Sequence, residues 1–190
     1  MNIKNLLLPM ILVLLFAPMA LAQRVKIEPD QQYLLLATTK TKTMQKELEE
    51  VSAKGFRILL ASATKTEMVL FLERVAAPPD VYKYQLLATF SEKTMEKELN
   101  EAAAKGFRLL PQTLMHKEGW TIFQNESVAI LEQQPKSNKR YEYKVLATAL
   151  TGKLQKSVSE ATASGFKLLA MVSSDGTNRV IMEKETVVEL

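Results

Sequence analysis

"AKGFR" occupies residues 53–57, recurs unchanged at 104–108, and returns as "ASGFK" at 163–167. Each copy follows a stretch that places apolar side chains three or four positions apart: Met44, Leu48 and Val51; Met95, Leu99 and Ala102; Leu154, Val158 and Ala161. That spacing makes one stripe of an amphipathic helix. A glycine just past such a stripe can enter left-handed backbone at a helix end, a conformation that costs a residue with a side chain about 1 kcal/mol or more. With Gly55, Gly106 and Gly165 in that place, Phe56, Phe107 and Phe166 fold back on Val51, Ala102 and Ala161. Lys54 and Lys105 then lie at the negative end of the helix dipole. The pentapeptide is read as a helix stop that turns the chain into a strand. A phosphate cradle is the wrong reading, because its glycines open a helix and these close one.

The pentapeptide belongs to a longer block. With Tyr33, Tyr84 and Tyr143 as first positions, three 27-residue segments align without a gap; the first two agree at 18 positions and the second and third at 12. Such agreement predicts tandem copies of one supersecondary unit. Each opens with an apolar run of strand length. Its tyrosine, Leu35/Leu86/Val145 and alanine share one face, and Leu36/Leu87/Leu146 lie on the other, so neither face suits bulk water. After the helix and its stop come second strands ("RILLASA", "RLLPQTLM", "KLLAMVS") and third strands ("MVLFLERV", "WTIFQNESVAILEQ", "RVIMEKETVV"). Asp175-Gly176 suits a type I′ hairpin turn. Pro111 removes an amide donor and marks the second strand of copy two as an edge or a bulge. A helical crossover makes the first two strands of each copy parallel.

The expected fold class is α+β: three tandem β-α-β-β repeats, each a three-stranded sheet with one helix, over residues 31–75, 82–133 and 141–190. Units of about 50 residues without disulfide or metal sit near the lower limit of independent stability, which predicts that they pack together through the second face of the first strands. "AAPPD" at 76–80 and "QQPKSNKR" at 133–140 read as linkers.

"YEYKVL" at 141–146, the following helix, "GFKLL" at 165–169 and "RVIMEKE" at 179–185 resemble a family of short bacterial β-α-β-β domains of unknown function. All three copies share the pattern, with phenylalanine where such domains often carry tryptophan after the glycine. The resemblance implies architecture and no activity.

Residues 1–22 differ in kind. Lys4 precedes an apolar stretch from Leu6 to Phe16, and Ala20-Leu21-Ala22 offers a small-x-small cleavage pattern, so a signal peptide cleaved before Gln23 is expected, with export to the periplasm or outside the cell. An uncleaved anchor is the rival, since the 17 residues from Leu6 to Ala22 reach the lower limit for a membrane span. The chain has 190 residues, 47% hydrophobic and 24% charged, a globular profile. Losing Lys4 with the leader leaves 24 basic against 21 acidic side chains, short of the basic stripe that nucleic acid requires. The absence of cysteine excludes disulfides, thiolate nucleophiles and cysteine-ligated zinc.

His116 is the one histidine, so no two-histidine metal motif can form, and neither metal nor cofactor is expected. Its place in "LMHKEGW" reads as a solvent-facing hairpin tip. The lysine–glutamate pairs 46/50, 97/101 and 156/160 read as solvated helix faces, and the methionines after the leader as core. Binding is looked for where copy two departs from the common plan, at His116, Trp120 and Phe123, against the plainer reading that Trp120 and Phe123 cover the edge of the second sheet, with Lys139, Arg140 and Tyr141 (beside Lys136) as a second, basic-aromatic candidate more readily read as linker. The sequence thus leans away from an enzyme. It points to an exported scaffold or binding protein recognising a protein or envelope component, with membrane contact only through an uncleaved leader. A small-molecule-binding or hydrolase-like protein with a pocket between repeats is the alternative.

Overall fold

The computed structural model describes residues 25–75, 82–118, 125–133 and 138–187. The architecture is mixed α+β, with three helices and three antiparallel sheets of three or four strands among these residues. In chain order the elements are β1 (Tyr33–Thr38), α1 (Thr41–Ser52), β2 (Phe56–Ala63), β3 (Met68–Arg74), β4 (Tyr84–Thr89), α2 (Glu92–Ala104), β5 (Phe107–Leu109), β6 (Met115–Lys117), β7 (Glu126–Gln133), β8 (Lys139–Thr148), α3 (Thr151–Ala163), β9 (Lys167–Ser174) and β10 (Thr177–Val187).

The helix stops lie where the pentapeptides put them. Gly55, Gly106 and Gly165 have φ of 85°, 85° and 90°. At Gly165 the full double-bonded cap forms: its N–H donates to Thr162 O at 2.9 Å, and Phe166 N–H reaches back to Ala161 O at 3.1 Å. Gly55 and Gly106 make the shorter bond, to Ser52 O and Ala103 O. The first helix ends a residue earlier than the pattern suggests, with Ala53 at its C-cap. Among the described residues only Ser91 caps a helix start with its side chain, accepting from Thr94 N–H.

As expected, β1 and β2 run the same way, with the third strand between them: the first sheet is ordered β1-β3-β2 and the third β8-β10-β9, every pairing antiparallel. The reason is the hairpin. Once β3 folds beside β2, its far edge offers β1 an antiparallel partner, and both outer strands share it. The second sheet is not three-stranded. Pro111 begins a 3₁₀ turn, Pro111–Thr113, that splits its second strand into β5 and β6, both paired with the edge of β7. Asp175 and Gly176, at φ of 48° and 71°, make the tight turn between β9 and β10.

Each sheet buries one face on its own helix. Leu34, Leu36, Leu70 and Leu72 meet Met44, Leu48 and Val51 in one cluster; Leu87, Ala129 and Leu131 meet Met95, Leu99 and Ala102 in another. The opposite, outer face of the second sheet, with Tyr84, Val128 and Ile130, joins the first cluster, and that of the third, with Tyr143, Val145 and Ile181, joins the second. So α1 lies against β1 and β4, and α2 against β4 and β8, whereas α3 lies on β8, β9 and β10 of its own sheet. Met44, Met68, Met95, Met115 and Met182 are core as expected; Met171 is exposed. Lys97–Glu101 and Lys156–Glu160 form exposed pairs, while Glu50 lies 2.9 Å from Lys54.

The caps yield a controlled comparison. Gly106 has nothing within 4 Å of an added Cβ, so Gly106→Ala isolates the cost of left-handed backbone and is expected to lower stability by about 1 kcal/mol in denaturant titration. Gly152, equally uncrowded but inside the first turn of α3, is expected to be unchanged or stabilised by up to about 1 kcal/mol on replacement with alanine.

Candidate functional site: two sheet junctions and a shared groove

The sheets are joined by a polar cluster that occurs twice. The guanidinium of Arg57, the last residue of the first "AKGFR", forks onto the Glu132 carboxylate with N–O distances of 2.9 and 2.8 Å. Glu132 Oε2 also accepts from the Tyr84 hydroxyl at 3.1 Å, and that hydroxyl accepts from Ile58 N–H at 3.2 Å. At the next junction Arg108 holds Glu183 at 3.1 and 2.8 Å, Tyr143 donates to Glu183 at 3.0 Å, and Leu109 N–H donates to Tyr143 at 2.9 Å. Both glutamates are buried, so their charge is tolerable only because the fork and the phenol satisfy their oxygens. Burial and the neighbouring carboxylate push both tyrosine hydroxyls well above their ordinary pKa, which keeps them neutral donors. The hydrogen bonds that Arg108 donates to Glu183 raise its own pKa likewise.

Aromatic rings complete each clamp. Arg57 lies over Tyr82 at 4.8 Å and Arg108 over Tyr141 at 4.7 Å. Helix side chains then satisfy the edge of the following sheet. Gln45 donates to Tyr84 O and accepts from Leu86 N–H, both at 2.9 Å; Glu96 accepts from Val145 N–H, and Asn100 exchanges two bonds with Tyr143. Arg179, buried, donates to Ser127 and to Glu92 at the start of α2. Burial pushes the Glu92 carboxyl up, but the Arg179 contact outweighs it and the net shift is downward.

The groove where all three sheets approach one another is about 360 Å³, lined by the ends of β2 and β9 and by β6. His116 stands in it. The solvent-facing hairpin tip expected from sequence is overturned: His116 is part of β6, paired with Ser127, and its side chain is 13% exposed. The splitting of the strand at Pro111 carries it inward. Neither ring nitrogen has a hydrogen-bond partner, and Asp175 approaches to 3.9 Å. Burial lowers its pKa, Asp175 opposes, Arg179 lowers it further and Glu118 opposes, leaving a net depression.

The remaining sequence candidates fall differently. Trp120, Phe123 and Lys136 lie outside the described residues. Lys139, Arg140 and Tyr141 are not linker but the start of β8: Lys139 pairs with Glu185 at 2.8 Å, Arg140 donates to the Lys139 carbonyl, and Tyr141 supports Arg108. Among the described residues no group of three His, Asp or Glu side chains could hold a metal ion, and no helix is long and apolar enough to cross a membrane. Sequence reading missed Arg57, Arg108, Glu132 and Glu183. Their signal was present, in the arginine closing two pentapeptides and a glutamate carried by each of the three third strands, at Glu73, Glu132 and Glu183.

No family model, curated protein or solved structure matches the chain.

The histidine makes a directional prediction. A folded-state pKa below the ordinary 6.5 means that the unfolded chain takes up the proton first, so stability present at neutral pH is lost as pH falls through about 6.5 toward the folded value. Urea titrations at about pH 7 and pH 5.5 are expected to show that loss in the wild type and a smaller one in His116→Gln.

Proposed function

We propose that the chain is an exported, non-enzymatic binding scaffold made of three tandem copies of one β-α-β-β module, related to the short bacterial domains it resembles, and that it recognises a protein or envelope component. The observation that carries this reading is the outer face of the first sheet. Tyr33 and Phe71 are 55% and 46% exposed, whereas the aligned Tyr84, Tyr143, Ile130 and Ile181 are each at 5% or less. Leu35 lies beside them, also exposed. A contiguous apolar and aromatic face of this kind marks an interaction surface more readily than a solvated one. The polar side chains of the junctions support the same reading, because the arginines, glutamates and tyrosines are engaged with one another and hold sheets in place. Trp120 and Phe123 belong to the reading as a second contact region.

A small-molecule site in the groove is the competing reading, favoured by the two partnerless ring nitrogens of His116. The two separate by experiment. With a photoreactive amino acid at position 35 or 123, irradiated in the native envelope, the scaffold reading expects discrete adducts, and at position 35 their loss on Phe71→Asp. Absence of adducts from both positions, together with a small-molecule thermal shift abolished by His116→Ala, would replace it with the groove reading.

A further inference from the structure

We propose that the open face of the first sheet is the docking site for α3 and β9 of a second copy of this chain, so that chains associate head to tail. The inference rests on the scaffold reading and names its partner. It follows from comparing the two internal junctions with the two ends of the chain.

At each junction four positions act together: an arginine after the Gly-Phe pair, the amide of the next residue, a tyrosine opening the following sheet, and a glutamate opposite that tyrosine. In the first sheet the receiving half is present with no preceding unit among the described residues. Tyr33 is opposite Glu73 in the strand register, as Tyr84 is opposite Glu132 and Tyr143 opposite Glu183. At the other end, the donating half is present with no following unit among the described residues. Lys167 and the Leu168 amide stand where Arg57 and Ile58, and Arg108 and Leu109, stand in the two junctions. Leu168 is 64% exposed, against 6% for Ile58 and 1% for Leu109.

The helices tell the same story. Four side chains are buried on α1 and four on α2, because a sheet lies on either side; on α3 only Ala161 is buried. Thr162, aligned with the buried Ser52 and Ala103, is exposed. Gln155 occupies the position of Gln45 and Glu96, the two side chains that accept from Leu86 N–H and Val145 N–H. Its counterpart amide is that of Leu35. Because Gln32 O accepts from Arg74 N–H on the β3 side, strand alternation turns the polar groups of Tyr33 and Leu35 to the open edge of β1.

Seating that edge and face on a neighbour's α3 reproduces the internal contacts: Lys167 to Glu73, the Tyr33 hydroxyl between Glu73 and the Leu168 amide, Gln155 to the Leu35 amide, and Leu35 and Phe71 over the half-covered Leu154 and Val158. Two substitutions make this contact weaker than those within the chain. Lysine cannot fork onto a carboxylate as arginine does, and Gln31 stands where Tyr82 and Tyr141 support the arginines. In the single chain the Gln31 side chain donates to Tyr33 O at 3.0 Å, a bond the neighbour must displace. The association is therefore reversible, and being heterologous it continues past two chains unless a ring closes.

The test uses the purified full chain. By light scattering the wild-type mass is expected to rise with concentration. Phe71→Asp, at the receiving end, and Lys167→Glu, at the donating end, are each expected to weaken self-association about tenfold or more. Both positions face solvent, and retained unfolding transitions check the fold. Mixed together, the two variants retain one intact end each and are expected to stop at a 1:1 dimer. Independently, a photoreactive residue at position 35 of the wild-type sequence is expected to link to the segment around Leu168 of an isotopically distinct second chain. A single-chain mass up to about 1 mM overturns the proposal. So does a mixture that stays monomeric, or adducts from position 35 to residues 1–24 of the same chain or to β1 of the second. Adducts to a different protein also overturn it while leaving the binding-scaffold reading in place.

Discussion

A three-stranded sheet with apolar side chains on both faces cannot be covered by one helix. Leu34, Leu36, Leu70 and Leu72 need one cover, and the side that carries Tyr84, Val128 and Ile130 in the second sheet needs another. The chain meets the requirement by letting α1 and α2 each serve two sheets, their own and the next, while α3 covers only its own. Everything else in the molecule adjusts to that. The helix stops must be sharp, so that the strands after Gly55 and Gly106 return beside their helices and present an edge amide to the tyrosine of the following sheet. The buried glutamate must then be neutralised, and the arginine directly after the Gly-Phe pair is already at that edge to do so.

The helix stops, the alternation of the first strands and the edge character marked by Pro111 were legible because each depends on local chemistry: positive φ, period-two burial, a missing amide. Strand order was not, since the choice between direct β1–β2 pairing and insertion of β3 is made by a strand that is close to β2 in sequence but far from β1. The placement of His116 failed for a related reason. A turn residue and a short strand after a proline break look alike in sequence, and only the pairing of Met115–Lys117 with β7 separates them. Lys139–Tyr141 misled through composition, being charged and next to a Pro-Lys-Ser segment, although the alternation of Tyr141, Tyr143 and Val145 extends the strand pattern back through it.

The candidate site was half legible. Tyr33, Tyr84 and Tyr143 stood out as the alignment's first positions, but they read as apolar strand residues, and the hydroxyls of Tyr84 and Tyr143, which tie the second and third sheets to their predecessors, carried no separate signal. The arginines were read with the helix stop and given no partner of their own. A series of alternating charges, Glu73, Arg57, Glu132, Arg108, Glu183 and Lys167, therefore runs through the molecule with an acidic member at one end and a basic one at the other. Within the chain its middle members hold the stack; its ends are where the surface is incomplete.

The claim that these clusters hold the sheets together is tested most directly by a double-mutant cycle on Tyr143→Phe and Glu183→Gln, read by chemical denaturation. The account predicts that Tyr143→Phe alone costs about 1–2 kcal/mol, because the Leu109 amide and the Glu183 carboxylate each lose a partner. It also predicts that the two changes couple by about 1 kcal/mol or more. Additivity to within about 0.5 kcal/mol would contradict it, placing the stability of the stack in apolar contact alone.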